Sequence, residues 1–88
     1  MYEVRWKKSA VNDLARFWVD EDSLMRKAIS RAANRIEKQL AYDPENTGES
    51  REGNERVYHE FPLGVLFAVD QASQMVRVLQ VWKYTKRK

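Results

Sequence analysis

The chain opens on Tyr2-Glu3-Val4-Arg5-Trp6-Lys7, in which apolar and charged residues alternate. A period of two puts Tyr2, Val4 and Trp6 on one side and predicts a strand half-buried on that side. The period then lengthens. Val11, Leu14, Ala15 and Trp18 recur at i, i+3, i+4 and i+7, the spacing of one helix face, with Ser9 as its expected N-cap. Asp20-Glu21-Asp22-Ser23 breaks the pattern, and its acids suit the positive end of a following helix. That second helix carries Met25, Ala28, Ile29, Ala32, Ile36 and Leu40 on one face. It stops at Tyr42-Asp43-Pro44, because proline disfavours helical geometry in the residue before it. So short a link between the helices implies an antiparallel hairpin.

Residues 43–55, DPENTGESREGNE, are polar and punctuated by Pro44, Gly48 and Gly53, which predicts a long loop. The rest reads as strands. The first runs from Arg56 to Phe61 and is interrupted by Pro62. Val65 to Val69 is apolar on both faces, as a central strand is. Asp70 to Gln74 is a turn, and Met75 to Tyr84 is a third strand and a candidate sheet edge. The predicted order is strand, helix, helix, strand, strand, strand. It describes one α+β domain over residues 1–88, two layers deep, with a helical hairpin packed on an antiparallel β-sheet.

Composition narrows the function classes. The 88 residues are 43% hydrophobic and 33% charged, a globular balance. There is no cysteine and a single histidine, which excludes a disulfide framework, thiolate metal sites and multi-histidine zinc sites. No apolar run is long enough for a signal peptide or a membrane span, so a cytoplasmic location without membrane contact is expected. The net charge of +3 suits an anionic partner, nucleic acid or an acidic peptide, though a few excess lysines are also common on inert domains.

Several of these segments together resemble the RelE/ParE toxin superfamily, the plasmid-stabilisation toxins. They are the opening YEVRW, the helix KKSAVNDLARFW, the helix end QLAYDPENTG, the strand opening with Arg56, and the pair PLGVLFAVD and VRVLQVWKY. The resemblance implies the toxin of a type II toxin–antitoxin system, held silent by a cognate antitoxin, with a homodimer as a further expected assembly and no cofactor. RelE-like members inhibit translation by cutting messenger RNA on the ribosome without a metal; ParE-like members inhibit DNA gyrase. A degenerate, non-toxic member that serves only as a protein-binding module is the third reading. One departure weakens the endoribonuclease reading: RNA-cleaving members carry an arginine early in the central strand, where this chain has Gly64. A second arginine commonly follows the last strand, and its nearest match is Tyr84.

Metal-free RNA cleavage needs a base for the 2′-hydroxyl, cations for the phosphorane and an acid for the leaving oxygen. If Val57 and Phe61 face the core, strand alternation puts Arg56, Tyr58 and Glu60 on the opposite, helix-free face, together with Gln80, Trp82 and Tyr84. Arg56 is then the phosphate-gripping cation, Glu60 the base and Tyr84 the acid or a base-stacking ring. Tyr58 and Trp82 become candidates for base stacking or antitoxin contact. Lys83, Lys86, Arg87 and Arg77 become phosphate contacts, although Arg77 shares the inward parity of Leu79 and Val81. Lys27, Arg31, Arg35 and Lys38 form a basic stripe on the second helix, open to RNA or simply solvated. The same parity sends His59 to the core side, where a lone histidine is usually satisfied and inert. Trp6, Phe17, Trp18, Phe61 and Phe67 are assigned to the core.

Overall fold

A computed structural model describes residues 1–85. Strand β1 (Glu3–Trp6) leads into helix α1 (Lys8–Val19) and helix α2 (Ser23–Tyr42). A 3-10 turn (Pro44–Asn46) and the two-residue strand β2 (Glu49–Ser50) follow, then β3 (Glu55–Glu60), β4 (Leu63–Asp70) and β5 (Met75–Lys83). The five strands lie in the order β1-β5-β4-β3-β2. All neighbours are antiparallel except β1 and β5, which run parallel. The antiparallel sheet expected from the sequence is present, and the one parallel pair is added by β1. The α1–α2 hairpin carries the chain over the sheet after β1, so β1 and β5 meet pointing the same way. Strand β5 is not an edge, because β1 covers its far side; the edges are β1 and β2.

Both helices pack on one face of the sheet. Ile29, Ala32, Ile36 and Leu40 of α2 meet Leu63, Val65, Phe67 and Val69 of β4 and Val76, Val78 and Val81 of β5 in one buried cluster. Burying each of these larger side chains stabilises the fold by about 1.5–3 kcal/mol. Tyr2, Val4 and Trp6 lean on this core, as their alternation predicts. On α1 the inward residues are Ala10, Leu14 and Phe17, so its face is rotated from the predicted one. Val11 and Trp18 stay 47% and 41% exposed, and the Arg26 guanidinium covers the Trp18 ring at 4.5 Å. Arg26 also donates to the carbonyls of Trp18 and Val19 at the end of α1, a position that favours a cation.

Two helix starts differ in kind. The α2 N-cap is Asp22, whose carboxylate accepts from the Met25 amide at 2.9 Å. For α1 the cap is Lys7 rather than Ser9, with no side-chain bond, because the helix already begins at Lys8.

The register of the hairpins decides which way each side chain points. Glu60 pairs with Leu63 across a two-residue turn, followed by Tyr58 with Val65 and Arg56 with Phe67. Leu63, Val65 and Phe67 are wholly buried against the helices, so Glu60, Tyr58 and Arg56 share the helix side. Between β4 and β5 the register slips: Phe67 pairs with Val78 but Leu66 with Gln80, leaving Leu79 as a bulge. A bulge flips the alternation beyond it. Val76, Val78 and Val81 all face the helices, while Arg77, Gln80 and Trp82 face away.

Candidate functional site

The helix-free face of the sheet holds a contiguous aromatic group. His59 of β3, Gly64 of β4 and Trp82 of β5 stand in one cross-strand row. The His59 ring meets Trp82 edge-on at 5.7 Å and Tyr84 at 5.3 Å, and Tyr84 meets Phe61 at 5.6 Å. Edge-to-face contacts of this kind are favourable because a ring's positive rim meets a negative face. His59 is exposed. The expectation that it faces the core is therefore overturned, and Phe61 joins the outer face with it. The short turn at Phe61-Pro62 ties Glu60 to the buried Leu63, which forces His59 outward.

Gly64 lies directly under the Trp82 indole. A Cβ added there would come within 2.4 Å of Trp82 Nε1 and Cε2. The indole thus occupies the space that any longer side chain at position 64 would need. One row further along, Val57, Leu66, Gln80 and Trp82 floor a shallow depression of about 440 Å³, rimmed by Arg51, Glu52 and Glu55.

Several sequence-selected residues are elsewhere. Arg56 is a structural clamp: its guanidinium donates to Thr47 O at 2.8 Å, to Gly48 O at 2.9 Å and to Ser50 Oγ at 2.9 Å. It binds the loop before β3 and faces away from Tyr84. Gly48 makes that loop possible, because it has φ +71° and a Cβ there would lie 2.0 Å from Val57 O. Glu60 is on the helix side, where it accepts from the Tyr58 hydroxyl at 2.9 Å and meets Arg35 at 3.5 Å. Tyr58 packs on the core, and its phenol is pushed above its ordinary value, first by burial and then by the Glu60 carboxylate. Neither Tyr58 nor Glu60 reaches the face where they were expected. Lys83 also turns to the helix side and pairs with Glu21 beside the helical hairpin. Arg77 faces outward and is exposed, against its expected inward parity, because of the bulge at Leu79.

On α2, Lys27, Arg31, Arg35 and Lys38 are all exposed. Lys27 and Arg31 make no ion pair among the described residues, and Arg35 reaches Glu60. Lys86 and Arg87 lie outside the described residues. The structure thus brings together Trp82 and Tyr84 from the expected set and adds His59, Phe61 and Arg51. No helix among the described residues is long and apolar enough to cross a membrane.

No protein-family model matches the chain, and no curated protein does. Solved structures do match. The Mycobacterium tuberculosis toxin–antitoxin complex RelBE2 superimposes with a TM-score of 0.74 at 18% identity, over 97% of this chain and 93% of that one. The chromosomal ParDE toxin–antitoxin system of Pseudomonas aeruginosa gives 0.73 at 16% identity, over 97% and 98%. The isolated Escherichia coli RelE toxin gives 0.66 at 13% identity, over 100% and 89%. Strand order, helical hairpin and sheet register therefore converge with these comparisons on one statement: this chain has the fold of the RelE/ParE toxins.

Proposed function

We propose that this chain is the toxin of a type II toxin–antitoxin pair and that it acts on RNA at the ribosome through the helix-free face of its sheet. The observation that carries this reading is the exposed His59 ring beside the Tyr84 ring and Trp82 on an open sheet face. Imidazole is the side chain best suited to moving a proton near neutral pH, and aromatic rings on an open sheet stack single-stranded bases. In the cleavage reading, His59 accepts the 2′-hydroxyl proton. The 2′-oxygen then bonds to phosphorus, the P–O5′ bond breaks, and the Tyr84 hydroxyl supplies the proton to the leaving oxygen. The products are a 2′,3′-cyclic phosphate and a 5′-hydroxyl. Arg56 and Glu60 have no part in it, since both are engaged on the helix side. An antitoxin segment that covers the His59–Trp82–Tyr84 group would silence the protein.

A second reading, a ParE-like inhibitor that binds its target without cleaving RNA, is favoured by one observation. Trp82 lies over Gly64, the position at which RNA-cleaving members of the family that the sequence resembles carry arginine. Induced expression in a bacterial host, with pulse-labelled protein and DNA synthesis followed side by side, separates the two. Protein synthesis stopping first with cleaved messages, and both effects lost in His59→Asn, supports the RNA reading. DNA synthesis stopping first with messages intact sinks it in favour of the second.

A further inference from the structure

The helix-free face carries a second cluster away from the aromatic group. Arg5 and Arg77 are register partners on the parallel strands β1 and β5, whose backbones lie about 4.8 Å apart. Two like charges side by side on adjacent strands destabilise a sheet. Across the other side of Arg77 stands Ala68, which offers no counter-charge. Among the described residues Arg77 and Lys7 make no ion pair, and Arg5 shares Glu3 at 2.6 Å. Arg5, Lys7 and Arg77, with Trp6, line one open depression of about 220 Å³. Three cations thus line one space, with Glu3 held on Arg5 Nε and Glu55 in the same cross-strand row beyond Ala68, and an oxyanion seated there would relieve their repulsion while accepting from both guanidinium groups.

We propose that Arg5, Lys7 and Arg77 form a backbone-phosphate site for single-stranded RNA. This inference rests on the RNA-directed reading above and extends it. From Ala68, the neighbour of Arg77, to Gly64, the neighbour of Trp82, is four residues of β4, roughly 13 Å at the rise of a strand. Leu66 and Gln80 lie between. A short single strand laid along this face would have one phosphate held by the arginine pair while a base further along stacks at Trp82. The arginines set where the strand lies and carry no base preference, since phosphate contacts position while base contacts specify.

The test compares the full chain with Arg5→Gln/Arg77→Gln, using a short fluorescein-labelled oligouridine and anisotropy over a salt series. A urea midpoint no lower than that of the wild type establishes that the double variant is folded, and relief of the like-charge pair acts to raise it. The expected result is weaker binding and a log–log salt slope smaller by about 1.4, two contacts at about 0.7 apiece. Inorganic phosphate should also raise the melting temperature of the wild type, relative to chloride at equal ionic strength, and not that of the double variant. Equal affinity and slope in the two proteins overturn the site, as does a wild type that binds neither oligouridine nor phosphate. If the slope falls but expression leaves protein synthesis intact, the translation reading fails and the site stands. If synthesis stops with both proteins and the slope is unchanged, the site fails and the translation reading stands.

Discussion

Gly64→Ala is the sharpest probe of how the helix-free face is built. The added methyl would sit 2.4 Å from Trp82 Nε1 and Cε2, and 2.7 Å from Cζ2. Real contacts of that kind begin beyond 3 Å, so the indole must swing away from the row it shares with His59. Forcing a group into packed space costs about 1–3 kcal/mol. For a chain of this length each kcal/mol lowers the melting temperature by about 4–8 °C. Trp82→Ala removes the obstacle. In that background Gly64→Ala should be neutral or stabilising by about 0.5 kcal/mol, because alanine loses less backbone entropy than glycine in a strand. The two changes should therefore be coupled by about 2 kcal/mol, the size expected of residues in direct contact. Urea unfolding of the four proteins, followed by far-UV circular dichroism so that loss of one indole does not distort the signal, measures the coupling. An equal cost of Gly64→Ala in both backgrounds would refute the reasoning. The same geometry predicts that Gly64→Arg alone does not create a nuclease site, since the guanidinium must first displace Trp82.

Other consequences are open to direct measurement. Arg56→Lys keeps the charge but loses the fork that spans Thr47, Gly48 and Ser50; it should cost about 2 kcal/mol in urea unfolding and raise amide exchange across residues 47–53. Tyr58→Phe should cost about 1 kcal/mol at neutral pH by removing the bond to Glu60. The folded state holds the Tyr58 proton longer than the unfolded chain does, so wild-type stability should fall as pH rises from about 10 upward through the raised folded value. The gap between wild type and Tyr58→Phe should then narrow at alkaline pH; a gap that stays constant would show that burial does not act on this phenol. Asp22→Ala should cost about 1 kcal/mol through loss of the α2 cap. If RNA is cleaved, His59→Asn should reduce ribosome-dependent cleavage by about 100-fold or more, with Tyr84→Phe acting in the same direction and Glu60→Gln close to wild type.

Much of the architecture was legible in the residue pattern. The period-two opening, the two amphipathic helices, the stop at Asp43-Pro44 and the apolar run ending at Val69 each correspond to an element, because these signals are local. Alternation, helical spacing and proline act within a few residues and do not depend on what packs against them. The polar stretch 43–55 shows in its sequence only the signals of a loop. Its 3-10 turn and β2 depend on Arg56 holding three oxygens and on Gly48 fitting against Val57 O, which are contacts between segments.

What the sequence alone could not decide is which side of the sheet each residue of β3 and β5 takes. Residues 56–61 alternate two plausible faces: Val57, His59 and Phe61 against Arg56, Tyr58 and Glu60. Local hydrophobicity favours the first set as core. The two-residue turn at Phe61-Pro62, read together with Leu63, Val65, Phe67 and Val69 as the buried side of β4, points to the opposite answer. Pairing across that turn fixes Glu60 to the face of Leu63. On β5 the extra residue at Leu79 reverses the alternation midway and turns Arg77 outward, and nothing in the run VRVLQVW marks it. The elements are thus set by the chain's local chemistry. Which residues share the helix-free face, with His59 on it and Arg56 and Glu60 off it, is set by hairpin register, and the outward turn of Arg77 by a bulge, because a strand offers both faces until its neighbours choose one.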